Sequence, residues 1–112
     1  MDLRKLNEEV AVAGQITADD VADLAKAGYR SIVCNRPDGE AADQPGFETI
    51  KAAATQAGLE FAYVPIFPQT GITQEAVAQF SDAPASLPKP TLAYCRSGAR
   101  STNLFNASST TA

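Results

Sequence analysis

Pro90-Thr91-Leu92-Ala93-Tyr94 runs without a break into Cys95-Arg96-Ser97-Gly98-Ala99-Arg100-Ser101, and this junction constrains the fold more than any other stretch. The short apolar run reads as a buried strand. The small residues after it read as a tight turn, and the chain from Gly98 to about Asn106 reads as a helix. A strand that turns so abruptly into a helix belongs to a layered α/β sheet. Such a turn aims backbone N–H groups and the positive end of a helix dipole at one point, making an anion cradle. A cysteine held there ionises readily, because the same field stabilises its thiolate.

The rest of the chain repeats the alternation. Val10, Val12 and Ile16 share a strand parity that ends near Gly14-Gln15, and Thr17-Ala18-Asp19-Asp20 reads as a capping box opening a helix. Val21, Leu24, Ala25 and Gly28 follow at helical spacing, with Gly28 as the stop. Ser31-Ile32-Val33-Cys34-Asn35 is a second strand, followed by the turn residues Pro37 and Gly39. A second helix is expected from about Gly46 to Gln56, and a third strand over 61–66. A third helix is capped by Thr73 and turns Val77 and Phe80 inward; Pro84, Pro88 and Pro90 break up a linker before the last strand. The fold class is therefore α/β, a mainly parallel sheet flanked by helices on both faces. Ligands bind such sheets beyond the carboxyl ends of the strands, which puts the loops after Cys34, Ile66 and Tyr94 on one rim. The tail from about Asn106 carries few apolar residues and is expected to fray after one or two helical turns.

The chain has 112 residues and reads as a single domain over 1–112, with 45% hydrophobic and 20% charged residues. No apolar run reaches the roughly 20 residues that span a bilayer, and the first residues lack a signal-peptide core. We read the protein as cytoplasmic, without a membrane partner. A net charge of −4 and the lack of a basic stripe argue against a nucleic-acid partner. There is no histidine, so a Cys-His or Ser-His nucleophile pair and a His-ligated zinc site are excluded. Two cysteines cannot close a thiolate metal site, so the reading calls for no metal and no cofactor. A reducing compartment also makes a Cys34–Cys95 disulfide a poor expectation.

Free cysteine is often simply a buried small hydrophobe, and Cys34, inside a strand, is read that way. Cys95 stands in a different context, Cys-x-x-Gly-x-Arg-Ser after a strand. Gly98 permits close backbone approach, Ser97, Gly98 and Ala99 supply loop amides, and Ser101 can donate to the thiolate. Arg100 lies at the helix start, where a cation opposes the dipole at a cost of a few tenths of a kcal/mol, about 0.3–1. That placement points to a ligand, and a planar guanidinium matches two oxygens of a tetrahedral oxyanion. Arg96 either joins the anion site, faces solvent, or pairs with Asp38 or Glu40. Arg36, on the neighbouring loop, is a third cation for the anion or a surface residue capping a turn.

Pro90 to Ser101 and Ser31-Ile32-Val33-Cys34-Asn35-Arg36-Pro37-Asp38-Gly39-Glu40, with Gly14-Gln15-Ile16, resemble the phosphatase-like domain of the beta-lactamase-hydrolase-like proteins over nearly the whole chain up to Leu104. The resemblance implies a fold like that of dual-specificity and tyrosine phosphatases, with Cys95 as nucleophile and Arg100 as the oxyanion-binding arginine. Family members occur alone or joined to a metallo-hydrolase domain linked to sulfide metabolism, and from Phe105 onward this chain departs from the expected pattern. The loop also resembles that of rhodanese sulfurtransferases. Four residues (Arg96, Ser97, Gly98, Ala99) separate cysteine and arginine, as in rhodanese-type loops, where tyrosine phosphatases have five. Phosphatases use an aspartic acid on a neighbouring loop to protonate the leaving oxygen. The loop Pro65-Ile66-Phe67-Pro68-Gln69-Thr70-Gly71 holds no carboxylate, leaving Asp38 and Asp82 as substitutes.

Three functions are therefore carried forward, all with a small anionic partner. The first is a cysteine-dependent phosphatase-like hydrolase working through a covalent Cys95 intermediate on a phosphate monoester. The second is a sulfurtransferase that forms a Cys95 persulfide from a sulfane-sulfur donor. The third is an anion-binding module without turnover.

Overall fold

The computed structural model describes residues 2–67, 69–79 and 87–110, the last three as backbone only. Phe80, Asp82 and Pro84 lie outside the described residues. Chain order is β1 (Leu3–Lys5), β2 (Val10–Ala13), α1 (Ala18–Lys26), β3 (Ser31–Cys34), α2 (Phe47–Gln56), β4 (Glu60–Tyr63), α3 (74–79), β5 (Thr91–Tyr94) and α4 (Ala99–Thr110). The strands form one five-stranded sheet in the order β1-β2-β5-β3-β4. All neighbours are parallel except β1, which runs antiparallel to β2.

Every residue of β2, β3 and β5 is buried, because parallel strands are covered on both faces. Their two-residue period divides the core. Ala11, Ala13, Ile32, Cys34, Leu92 and Tyr94 face α1 and α2, where Val21, Leu24, Ile50 and Ala54 meet them. Val12, Val33 and Ala93 face the other way, against Ala76 of α3 and Leu104 of α4. The expected α/β architecture with helices on both faces is the one observed.

Local signals set most helix ends. Thr17 Oγ1 accepts from the Asp20 N–H at 3.2 Å while Asp20 Oδ2 accepts from the Thr17 N–H at 2.9 Å, completing the capping box of α1. Gly28 ends that helix at φ 100°, in the left-handed region that glycine tolerates. Thr73 Oγ1 caps α3 by accepting from the Ala76 N–H at 3.0 Å.

Four boundaries differ from expectation. β1 has no apolar alternation and was not anticipated; it exists because Asn7 Oδ1 accepts from the N–H groups of Glu9 and Val10, folding the chain back onto β2. β2 stops at Ala13, as the chain turns at Gly14 to approach the cysteine loop. β4 stops at Tyr63 rather than near residue 66, although the N–H groups of Val64 and Ile66 still donate to the Cys34 and Asn35 carbonyls at 2.9 Å. α4 continues to Thr110, beyond the expected end near Asn106, with Leu104 midway along it fully buried.

Candidate active site

The parallel strands end together, so the segments after Ala13, Cys34, Tyr63 and Tyr94 meet on one rim. Cys95 opens the last of them. Its N–H still donates to the Ala13 carbonyl at 3.2 Å, continuing the β2–β5 ladder by one bond. Tyr94 faces α1 and α2, so strand parity turns Cys95 toward α4. Gly98 then adopts φ 92° and its N–H donates to Cys95 Sγ at 3.0 Å. Its carbonyl accepts the first helical bond, from the Thr102 N–H at 3.0 Å.

Cys95 is fully enclosed, with 0% exposure, yet its sulfur faces amides rather than hydrocarbon. Burial pushes the thiol up. The bonds from the Ser101 amide, the Ser97 amide, the Ser101 hydroxyl and the Gly98 amide outweigh it and hold the thiol below its ordinary value. Ser101 is itself buried, and its hydroxyl donates to Asn35 Oδ1 at 2.8 Å. One hydroxyl proton serves one acceptor at a time, so Asn35 and the sulfur share it. Cys34 behaves oppositely. Burial pushes its thiol up, its S–H donates to the Arg36 carbonyl at 3.3 Å, and both cysteines are free.

Arg100 is brought to the same place by the first turn of α4. Its Nη1 donates to Glu40 Oε2 at 2.7 Å and to the Ile66 carbonyl at 2.8 Å, and its Nη2 donates to Glu40 Oε1 at 2.8 Å. Three of the five guanidinium protons are thereby used; the Nε–H and the second Nη2 proton lie along the remaining edge. The Arg100 hydrogen bond, opposed by burial and assisted by Arg36, holds the Glu40 carboxyl below the usual carboxylate range.

The structure relocates two expected site residues. Arg36, read as an anion ligand or a surface arginine, is neither on the surface nor on the pocket wall. It is 5% exposed, with Nε on Glu40 Oε1 at 3.1 Å and Nη1 on Gln15 Oε1 at 3.0 Å. Asp38, the candidate acid, borders the pocket, but its Oδ1 accepts from the Phe47 N–H at 2.8 Å and so caps α2, whose own N-cap is the side-chain-free Gly46. Arg96 is exposed on the pocket wall, and its guanidinium has no partner among the described residues. Ser97 and Ala99 are exposed; Ser97 Oγ accepts from the Ala99 N–H at 3.4 Å.

Asn35 and Glu40 join the candidate site through their hydrogen bonds to Ser101 and Arg100, and sequence reasoning missed them there. A polar residue at the end of an apolar strand was the available signal for Asn35. Glu40 stood among the candidate partners of Arg96, and it pairs with Arg100 and Arg36 instead. Above this network lies a pocket of about 450 Å³, bordered by Asp38, Glu40, Phe67, Gln69, Arg96 and Arg100.

Residues 2–112 match the family described as beta-lactamase hydrolase-like protein, phosphatase-like domain. The chain belongs to that family. The match includes the stretch from Phe105 onward, which the sequence reading expects to depart from the family. A beta-lactamase hydrolase-like protein of Xylella fastidiosa (strain Temecula1) is 39% identical over 105 residues, covering 94% of this chain and 24% of the relative. Its counterpart in Agrobacterium fabrum (strain C58) is 35% identical over 101 residues, 90% of this chain and 23% of the relative. The chain thus spans about a quarter of the length of these curated relatives. Among solved structures, a "putative phosphatase" of Neisseria meningitidis Z2491 superposes with a TM-score of 0.85 at 36% identity, covering 94% of this chain and 74% of that one. Tk-PTP in its active form gives a TM-score of 0.66 at 16% identity, over 87% of this chain and 63% of that one, a likeness of fold. The phosphatase-like domain therefore has a tyrosine-phosphatase-like α/β architecture. Among the described residues no helix is long and apolar enough to cross a membrane.

Proposed function

We propose that this phosphatase-like domain is a cysteine-dependent hydrolase of phosphate monoesters, with Cys95 as nucleophile. The observation that carries this reading is the Gly98 N–H on Cys95 Sγ at 3.0 Å, with the sulfur held below its ordinary thiol value beside an arginine that keeps one edge free. The thiolate attacks phosphorus while the phosphorus–oxygen bond of the ester breaks. Amides of the loop and the Nε/Nη2 edge of Arg100 hold the equatorial oxygens, where charge is fixed rather than reorganised. Water then cleaves the cysteinyl phosphate, and Ser101 stabilises the sulfur as it leaves. Arg96 meets the substrate at the pocket mouth, and Asp38, which borders the pocket, is the candidate acid for the departing oxygen. Because Asp38 is engaged with α2, esters with good leaving groups are favoured; they depart with little help from an acid. Both cysteines are free, which fits the reducing cytoplasm to which we assign the protein.

Sulfur transfer is the second reading, favoured by the four-residue spacing between Cys95 and Arg100. An aryl phosphate and thiosulfate separate the two. The proposal expects release of the phenol and a phosphoryl adduct in the intact mass, both lost in Cys95→Ser. An adduct of one sulfur atom from thiosulfate, with no phenol released, would replace phosphatase by sulfurtransferase. Binding of phosphate with neither adduct would leave an anion-binding module.

A further inference from the structure

Glu40 poses an electrostatic problem for the site it borders. A carboxylate bonded by both oxygens to Arg100, at 2.7 and 2.8 Å, fixes the plane of the guanidinium and so aims its free edge. The same carboxylate cancels the positive charge that a phosphoryl group or any other oxyanion needs. With side-chain exposures of 22% for Arg100 and 15% for Glu40, solvent screens that cancellation only in part. An arginine neutralised by its own support would be a poor oxyanion ligand.

Arg36 resolves the conflict. Its side chain is 6% exposed and its Nε donates to Glu40 Oε1 at 3.1 Å, the oxygen that also accepts from Arg100 Nη2. Arg36, Glu40 and Arg100 together carry one net positive charge. Arg36 does not itself border the pocket, and Gln15 Oε1 fixes its other end at 3.0 Å. A buried arginine bonded to a carboxylate and a neutral amide is costly to desolvate, and simple packing would have been served by an apolar side chain.

Building on the oxyanion site proposed above, we propose that Arg36 is a positioning residue that acts through Glu40. It lets the carboxylate orient Arg100 without removing the charge that Arg100 offers to the oxyanion, and Gln15 holds Arg36 in place for this.

Charge counting gives a test whose sign a purely structural role would not reproduce. Arg36→Gln leaves the Glu40–Arg100 pair neutral. Arg36→Lys keeps the charge, and Arg36→Gln combined with Glu40→Gln restores one net positive charge on Arg100 alone. The probe is tungstate, read as protection of Cys95 from alkylation, with folding checked by thermal melting. We expect Arg36→Gln to weaken tungstate binding at least fivefold and Arg36→Lys to stay within about twofold of the parent. The double variant should bind more tightly than Arg36→Gln, the non-additivity of groups acting as one unit. Unchanged affinity in Arg36→Gln, or a double variant weaker than Arg36→Gln, overturns the inference. Should Arg36→Gln fail to fold, the other two decide: retention within threefold in both supports the role of charge, and a larger loss in either overturns it. If tungstate fails to protect the parent protein itself, the oxyanion site falls, and the role of Arg36 falls with it.

Discussion

A side chain at Gly98 would meet two neighbouring residues on a backbone that disfavours it. Its Cβ would lie 3.1 Å from Arg4 Nη2 and 3.4 Å from the Ala13 carbonyl carbon, on a backbone at φ 92°. The left-handed conformation alone costs an L-residue about 1–2 kcal/mol. Gly98→Ala should therefore lower stability in urea by at least that amount. It should also swing the amide away from Cys95, so iodoacetamide labelling at mildly acidic pH should fall severalfold. The two cysteines make an internal control for that labelling. Cys95 should react well below the pH at which an ordinary thiol does, while Cys34, pushed the other way by burial, should stay silent until the protein unfolds. Peptide mapping after labelling over a pH series checks this, and equal pH profiles at the two positions would contradict it. The sign carries over to stability. A thiol with a depressed folded-state pKa adds stability that is complete above its unfolded value and is lost as pH falls through the folded value. Cys95→Ala should flatten that part of the stability profile.

At the scale of elements, α1 and α4 differ in where their information lies. The ends of α1 are set by neighbours in sequence, Thr17 and Asp20 at one end and Gly28 at the other, and so they could be read directly. Thr17→Ala should cost about 1 kcal/mol in urea denaturation, the usual value of an N-cap. α4 is anchored by Leu104, which enters the core formed by Val12, Val33 and Ala93. Leu104→Ala, at a fully buried position, should cost about 2–5 kcal/mol by the same measurement. The strand–loop–helix at Cys95 was legible for the same reason as α1, since small residues, a glycine and a helix start lie within seven positions. The network around Arg100 was not. Its partner Glu40 is 60 residues away, and charges in a surface-like loop carry no pattern that tells a buried ion pair from a solvated one. β1 escaped likewise, because its pairing depends on an asparagine turn and on the open edge of β2 rather than on its own residues.

Across the whole molecule, one hydrogen-bonded chain joins the loops at the carboxyl end of the sheet. Gln15 follows β2, Arg36 and Glu40 follow β3, the Ile66 carbonyl follows β4, and Arg100 lies beyond β5. Glu40 is its anionic centre, so acid should loosen the rim. Its carboxyl is held down by Arg100, so its stabilising contribution is present above the ordinary carboxylate value and is lost as pH falls through the lowered one. Glu40→Gln should destabilise the protein at neutral pH by roughly 2 kcal/mol, the scale of a charged hydrogen bond. The gap from the parent should close in acid; a gap of constant size in urea melts across pH would contradict the assignment. The complete enclosure of Cys95 has a kinetic corollary. Since no reagent can touch the sulfur until neighbouring atoms part, the entrance acts as a sieve. Slender electrophiles should be admitted far faster than bulky ones of equal intrinsic reactivity.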